Sequence, residues 1–220
     1  MTTMITTSAV TVILISADKD ANPIERVVST VARVDMMLAD RLHDGDGVRP
    51  YSVARRARAL DVYAFDDDLA SALLRGDTDA KLVTRCRADD LLARGDGGDM
   101  LRLSFETPCH FRTSGMDYQI PDPFHVFGSL MDRWRGLAWP DMASPDRKRI
   151  GVWLEGLESR TMRCGGQVHR GFVGSVRYDL RGLRDEERHS VWTLARFGEY
   201  RGVGKHTTSG MGRVRIMSAR

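Results

Sequence analysis

The sequence predicts an α+β fold made of two tandem ferredoxin-like (RRM-like) domains, and three observations support this prediction. The predicted elements of the first half follow the order strand–helix–strand–strand–helix–strand, which is the ferredoxin-like arrangement. A second series of the same kind follows. A glycine-rich loop then precedes the last predicted strand. We therefore expect the 220 residues to form an N-terminal domain over 1–106 and a C-terminal domain over 107–220.

In the first unit, residues 9–17 are rich in Val and Ile, which is typical of a buried strand. Pro23 stands where a helix can begin, and apolar residues recur at helical spacing over 24–43. One long helix is predicted there, and "DGDG" at 44–47 ends it. The remaining predicted elements are strands over 48–54 and 60–65, a helix over 66–76 and a strand over 99–108.

The second unit is expected to begin with a strand near 108–112. Asp122 and Pro123 are typical of a helix start, and the helix is predicted over 121–137. A basic linker at 144–149 follows. The remaining predicted elements are a long hairpin over 150–180, a helix over 184–202 and a closing strand over 210–217.

Charge is distributed unevenly along a chain whose net charge is +3. Residues 111–220 contain 19 Lys and Arg against 12 Asp and Glu, whereas the first half is acidic. A basic half of this kind suits a polyanionic ligand.

Cysteine usage and hydropathy indicate the compartment. Cys86, Cys109 and Cys164 are odd in number and form no Cys-x-x-Cys, so neither a disulfide framework nor a metal site is expected. The apolar run at 9–17 is too short to span a bilayer. The sequence therefore predicts a cytoplasmic protein without a membrane segment.

The stretch "RGVGKHTTSGMGRVRI", Arg201 to Ile216, resembles a phosphate-binding P-loop only superficially. That motif requires a glycine five positions before the Gly-Lys pair and Ser or Thr directly after it, but Glu199 and His206 occupy those positions. Two interpretations remain: a glycine-rich turn between the last helix and strand, or a loop that contacts a ligand backbone. Lys205 favours an anionic ligand.

Three stretches carry a family resemblance: "LHDGDGVRPYSVA", "FRTSGMDYQIPDPFHVFGSLMDRWR" and "GFVGSVRYDL…RFGEYRGVGKHTTSGMGRVRI". With them the chain, from Arg33 onward, resembles the CRISPR repeat-cleaving endoribonucleases, the sixth Cas family of the RAMP superfamily. The resemblance implies tandem ferredoxin-like domains and binding to the repeat of precursor CRISPR RNA. It also implies cleavage by the RNA's own 2′-hydroxyl, without metal or cofactor, to a 2′,3′-cyclic phosphate and a 5′-hydroxyl.

His43 matches the place where the family often carries a catalytic histidine, at the end of the first helix. Histidine suits proton transfer because its ordinary pKa is near 6.5; the alternative is a histidine that only stabilises a helix C-terminus. Tyr51 and Ser52 are expected to face the same pocket, although Tyr51 is equally consistent with a core or stacking role. The family's usual lysine near the histidine is missing, so an arginine or Lys205 would replace it.

The loop from Gly202 to Gly212 is expected to lie against the RNA backbone, with its N–H groups and Lys205 holding phosphates. Several basic residues elsewhere are expected to contact RNA, or to form no more than a solvated face. The predicted RNA-binding residues are Arg49, Arg112, Arg149, Arg163, Arg170, Gly202, Gly204, Lys205, His206 and Gly210.

Two other functions are consistent with the same sequence. A non-catalytic RAMP subunit that holds guide RNA in a CRISPR effector complex would share the loop and the fold, and His43 is the discriminating feature. A protein–protein adaptor with incidental basic charge would have no affinity for RNA at low salt.

Overall fold

The framework of the molecule is a pair of four-stranded antiparallel sheets. The computed structural model describes residues 9–18, 21–44, 49–95, 97–164 and 166–217. The first part of the chain contains β1 (Ala9–Ser16), α1 (Pro23–Ala32), α2 (Met36–Asp44), β2 (Tyr51–Arg55), β3 (Ala59–Ala64), α3 (Asp67–Gly76), β4 (Lys81–Arg87) and α4 (Ala88–Ala93). The second part contains β5 (Met100–Cys109), β6 (Phe111–Thr113), β7 (Met116–Tyr118), α5 (Pro123–Gly136), β8 (Gly151–Cys164), β9 (Gln167–Asp179), α6 (Asp185–Arg201) and β10 (Val214–Ile216).

Both sheets have the strand order of a ferredoxin-like unit. The first runs β2-β3-β1-β4 and the second β10-β5-β9-β8. In each unit the strand that comes first in the chain is therefore central, and the last strand lies beside it at the edge. Strands β6 and β7 form a separate two-stranded sheet before α5.

The predicted helix over 24–43 is two helices, because Asp35 begins a new one. Val34 and Asp35 close the last turn of α1 by donating to the Val31 carbonyl. The Asp35 carboxylate then accepts a hydrogen bond from the Leu38 amide at 2.8 Å, which caps α2. The predicted stop at 44–47 lies mostly outside the described residues.

The fourth strand of the first sheet is not the predicted one. Lys81–Arg87 pairs with β1, whereas residues 100–109 pair with β9 and β10 as the first strand of the second sheet. Only Cys86 of β4 is buried, which is typical of a charged edge strand and explains the missing hydrophobic signal. Glu106, the predicted domain boundary, lies within β5, so the second sheet begins before that boundary.

Two apolar clusters cover opposite faces of the first sheet. Val62 and Ala64 of β3 lie in a cluster with α1, α2 and α3, whereas Tyr63 between them lies in a cluster that spans both units. In that second cluster Phe65 packs against Phe197 of α6, with ring centroids 5.7 Å apart. The two units therefore share a core. None of the described helices is long and apolar enough to cross a membrane.

Candidate functional site

Residues Gly202–Gly212, here called the glycine loop, fold tightly against the end of β5. The Val203 amide donates to the Gly212 carbonyl at 2.8 Å, and the Gly212 amide donates to the Pro108 carbonyl at 3.0 Å. A Cβ atom on Gly212 would lie 1.8 Å from the Val203 carbonyl oxygen, and one on Gly204 would lie 2.3 Å from the His110 carbonyl oxygen. These glycines are therefore required by the approach of the chain to itself.

Half-buried Arg133 and buried Arg201, on either side of the glycine loop, both donate to backbone carbonyls. Arg133 of α5 donates to the carbonyls of Gly202, at 3.1 Å, and Gly204. Arg201 donates to the carbonyls of Tyr51, at 3.1 Å, and Arg49, at 3.0 Å. Burial, reinforced by the charge of Arg133, lowers the pKa of Arg201 to about 9. Carbonyl oxygens thus compensate for much of the cost of burying these charges, and Arg201 ties the loop to the first unit.

A basic cleft of about 400 Å³ lies between α5 and the glycine loop. Its cationic side chains are Arg112, Arg147 and Lys205, with Arg133 at its base. The Arg147 guanidinium lies 5.3 Å from the centroid of the Phe124 ring, which fixes it over α5. The cleft can hold a phosphate and an adjoining planar group.

His125 at the edge of this cleft is oriented by two hydrogen bonds. Its Nδ1 lies 2.7 Å from Asp122 Oδ2, and its Nε2 lies 2.7 Å from Thr113 Oγ1. Burial alone would raise the pKa of Asp122, but hydrogen bonds from the backbone and ring of His125 outweigh it and lower that pKa. The imidazole is therefore held in one orientation, with Nδ1 directed at the carboxylate.

Three histidines meet where the glycine loop contacts β9. The ring centroids of His206 and His169 are 4.1 Å apart, and that of His110 lies 5.4 Å from His206. His110 is buried, His169 is half-buried and His206 is exposed. Burial, together with the two neighbouring histidines, lowers the pKa of His206 to about 4. Burial also lowers the pKa of His110, so these two rings favour the neutral form.

The family model for the CRISPR-associated endoribonuclease Cas6 matches residues 103–214, just over half of the chain. The chain belongs to the Cas6 family. The predicted family is thereby confirmed.

Relatives and solved structures agree with the family. The chain is 30% identical over 122 residues to the CRISPR-associated endoribonuclease Cas6 of Mycobacterium tuberculosis strain H37Rv, and the match covers 52% of this chain but only 38% of that relative. A Cas6 product complex has a TM-score of 0.78 at 20% identity and covers 96% of this chain and 100% of its own. Thermus thermophilus Cas6 has a TM-score of 0.73 at 22% identity, with coverages of 96% and 98%. The predicted α+β fold of two ferredoxin-like units is confirmed.

For this Cas6-family chain, the predicted roles of Tyr51 and Ser52 at the reacting atoms need correction. Tyr51 is 0% exposed and Ser52 is 1% exposed. The Ser52 hydroxyl donates to the Tyr200 carbonyl at 2.5 Å, and burial raises the pKa of the Tyr51 phenol. The Ser52 side chain joins β2 to α6, whereas the Tyr51 side chain lies on the other face of β2, in the apolar core of the first unit. Both are therefore enclosed by protein.

The predicted contact of phosphates with glycine N–H groups is also corrected. Gly202, Gly204 and Gly210 are buried, and the amides of Gly202 and Gly210 donate to the carbonyls of Gly198 and Thr207. Lys205 and His206 are the exposed residues of the loop. The glycines shape the turn that presents these two side chains.

His43 lies exposed in the last turn of α2, and its catalytic role stays a prediction. The described chain resumes at Arg49, whose side chain is half-buried and whose carbonyl accepts from Arg201. A histidine at this helix end is accessible to a substrate, in contrast to Tyr51 two residues beyond Arg49.

The predicted arginines fall into separate places. Arg112 lines the cleft with Lys205. Arg149 is exposed and lies two residues after Arg147, which also lines the cleft. Arg163 and Arg170 are exposed on the β8–β9 hairpin. The register pairs Thr161 with Arg170 and Met162 with His169, so these two arginines project from the hairpin face opposite to His169.

Two features of the site were missed from the sequence. One is His125, for which Asp122, three positions earlier at a helix start, is a signal of a carboxylate–histidine pair. The histidine cluster had no signal, because tertiary packing alone brings His110, His169 and His206 together.

Proposed function

We propose that this chain is a CRISPR RNA-processing endoribonuclease that binds the repeat of precursor CRISPR RNA and cleaves it. The single observation that carries the proposal is His43, an exposed imidazole at the end of α2 in a chain of the Cas6 family. The activity of the whole relatives is proposed here for this chain, whose match covers 38% of their length.

The proposed reaction needs no metal ion or cofactor. His43 takes the proton of the 2′-hydroxyl, and the 2′-oxygen attacks the adjacent phosphorus. The bond from phosphorus to the 5′-oxygen breaks, and that oxygen receives a proton. The products are a 2′,3′-cyclic phosphate and a 5′-hydroxyl. A cation, Arg49 or Lys205, offsets the negative charge that develops on the phosphorane oxygens.

Binding is proposed to depend on the cationic cleft and its surroundings. Arg112, Arg147 and Lys205 supply three cations at one cleft, which suits consecutive phosphates of a single strand. Exposed Arg149, Arg163 and Arg170 extend the basic surface of the second unit. A cytoplasmic location is proposed because Cys86, Cys109 and Cys164 are all free thiols.

The test is to incubate the purified chain with repeat RNA of its own CRISPR array in EDTA. We expect one cut per repeat, and fragments that end in a 2′,3′-cyclic phosphate by mass spectrometry. Loss of cutting in EDTA, with recovery in magnesium, would contradict the 2′-hydroxyl mechanism. Tight binding without any cut would favour the non-catalytic RAMP subunit, and absence of binding at low salt would favour the adaptor.

A further inference from the structure

We propose that His206, His169 and His110 form a platform on which one nucleobase of the bound RNA stacks. The proposal rests on the proposed function, since it names a subsite for the same RNA. The platform lies beside Lys205, outside the catalytic position at His43 and opposite to the hairpin face that carries Arg163 and Arg170.

The three rings form a close cluster, in which each ring centroid lies within 6.2 Å of the other two. His169 and His206 have ring centroids 4.1 Å apart with an interplanar angle of 36°, and His110 and His169 are nearly parallel at 12°. His206 nevertheless remains exposed. An exposed aromatic ring that packs against two others offers a surface on which an unpaired base can stack.

The backbone holds His206 in this place at a cost. Its φ is 58°, in the left-handed region that a residue other than glycine rarely adopts. Its carbonyl accepts hydrogen bonds from the Ser209 and Met211 amides, which lock the turn. Left-handed residues that the surrounding structure maintains are frequent at binding sites.

The chemistry of the cluster favours a base over a phosphate or a metal ion. Burial lowers the pKa values of His110 and His206, so the rings carry no charge at pH 7 to attract an anion. The Asp117 carboxylate lies 4.0 Å from His110 Nε2, which would repel a phosphate there. Among the described residues, no group of His, Cys, Asp and Glu has the geometry to hold a metal ion.

One polar atom of the platform also lacks a hydrogen bond. His110 is 3% exposed, and its buried Nδ1 has no partner within the described chain. Buried polar atoms are nearly always satisfied in folded proteins. An unsatisfied imidazole nitrogen within this histidine cluster is consistent with a site whose hydrogen bonding is completed only in the complex.

Two RNA probes separate base stacking from phosphate binding. One is oligoadenylate of about twelve nucleotides, within the usual site size for single strands; the other has the same ribose-phosphate backbone without bases. Affinities are measured by fluorescence anisotropy for the parent, His206→Asn and His206→Tyr. Asparagine tolerates the left-handed conformation but has no ring, whereas tyrosine keeps an aromatic face.

We expect His206→Asn to weaken oligoadenylate binding about 5- to 150-fold and to leave binding of the abasic probe unchanged. His206→Tyr should restore most of the lost affinity. His189→Asn is the matched control, because residue 189 lies about 18 Å along α6 from the loop. It should bind both probes like the parent.

Equal binding of oligoadenylate by the parent and a folded His206→Asn would overturn the platform. So would an equal loss for both probes, which would mean that His206 contacts only the backbone. If circular dichroism shows that His206→Asn unfolds at a lower temperature than the parent, His169→Asn is tested instead and judged by the same criteria. A parent that cuts its repeat while these variants bind normally would refute the platform alone, whereas a parent without RNA affinity would refute the proposed function as well.

Discussion

The central strands of the two units, β1 and β5, have the same topological position but opposite patterns of burial. β1 reads AVTVILIS, and residues Ala9 to Ile13 are all buried. β5 starts MLRLSF, where Leu101, Leu103 and Phe105 are buried while Arg102 is exposed. A continuous apolar run indicates a sheet covered on both faces, and an alternating run indicates a sheet with one open face.

The open face of the second sheet is polar and charged. Glu155 forms ion pairs with Arg102, at 2.6 Å, and Arg177, at 2.8 Å, and the Arg177 guanidinium lies over exposed Trp153. The first sheet is instead enclosed between its own helices and α6 of the second unit. The first unit is therefore a buried support that presents His43 from a helix end, and the second supplies the exposed cationic surface. This division leads to four predictions.

The largest expected effect is on catalysis by the first unit. His43→Ala should slow repeat cleavage by about 100- to 10,000-fold, because a proton-transfer group contributes about that much to the rate. Repeat affinity should stay close to the parent value, since the imidazole adds little ground-state binding. Single-turnover cleavage and anisotropy titrations measure the two quantities.

His189→Ala is the control for this prediction, because it removes an imidazole from the second unit. It should cut at the parent rate. If His43→Ala also cuts at the parent rate, the first unit does not supply the proton-transfer group, and the proposed division between the units is wrong.

The second prediction compares the two central strands directly. Thr11 of β1 is 4% exposed, whereas Ser104 of β5 lies on the open face of the second sheet. Thr11→Lys should lower the free energy of unfolding by about 4 kcal/mol or more, because an unpaired charge would be buried. Ser104→Lys should change it by less than about 0.5 kcal/mol. Urea unfolding followed by circular dichroism gives both values, and similar losses would show that both faces of the second sheet are covered.

The fold could be predicted well from the sequence where periodicity was strong. The repeated order of strands and helices defined both ferredoxin-like units because β1, α3, α5 and α6 carry clear patterns. The sequence did not predict β4, because its charged residues face solvent. It also did not predict the helix break at Asp35, because the apolar periodicity continues through this cap. The domain boundary near Glu106 stays a prediction.

The site could be predicted only in part. The position of His43 followed from the family resemblance, and Arg112 and Lys205 do meet in one cleft. The sequence did not distinguish glycines that contact a ligand from glycines that contact the protein's own backbone. In the structure, Gly204 and Gly212 contact the protein's own backbone. Nor did it indicate that Ser52 faces α6 and Tyr51 the core of the first unit, because their strand is covered on both sides by distant segments.

The third prediction tests that structural role of the glycine loop. Gly212 and Gly95 both have a φ of 66°, but a Cβ on Gly95 would meet no atom within 4 Å. Gly95→Ala should cost about 1–2 kcal/mol for the left-handed backbone alone. Gly212→Ala should cost about 3 kcal/mol or more, because the Val203 carbonyl must also move. Equal losses in urea unfolding would indicate that the loop has room for a Cβ and is not held by close backbone contact.

The smallest expected effect concerns a single phosphate contact on the second unit. Lys205→Ala should reduce the slope of log affinity against log salt concentration by about 0.7, the value for one phosphate of a single strand. The loss should be similar for native and scrambled repeats, because phosphate contacts position RNA without reading its sequence. Lys81, exposed on β4 of the first unit, provides the matched control. If Lys81→Ala reduced the slope as much as Lys205→Ala, RNA would cover the first unit as well, and the cationic surface would not belong to the second unit alone.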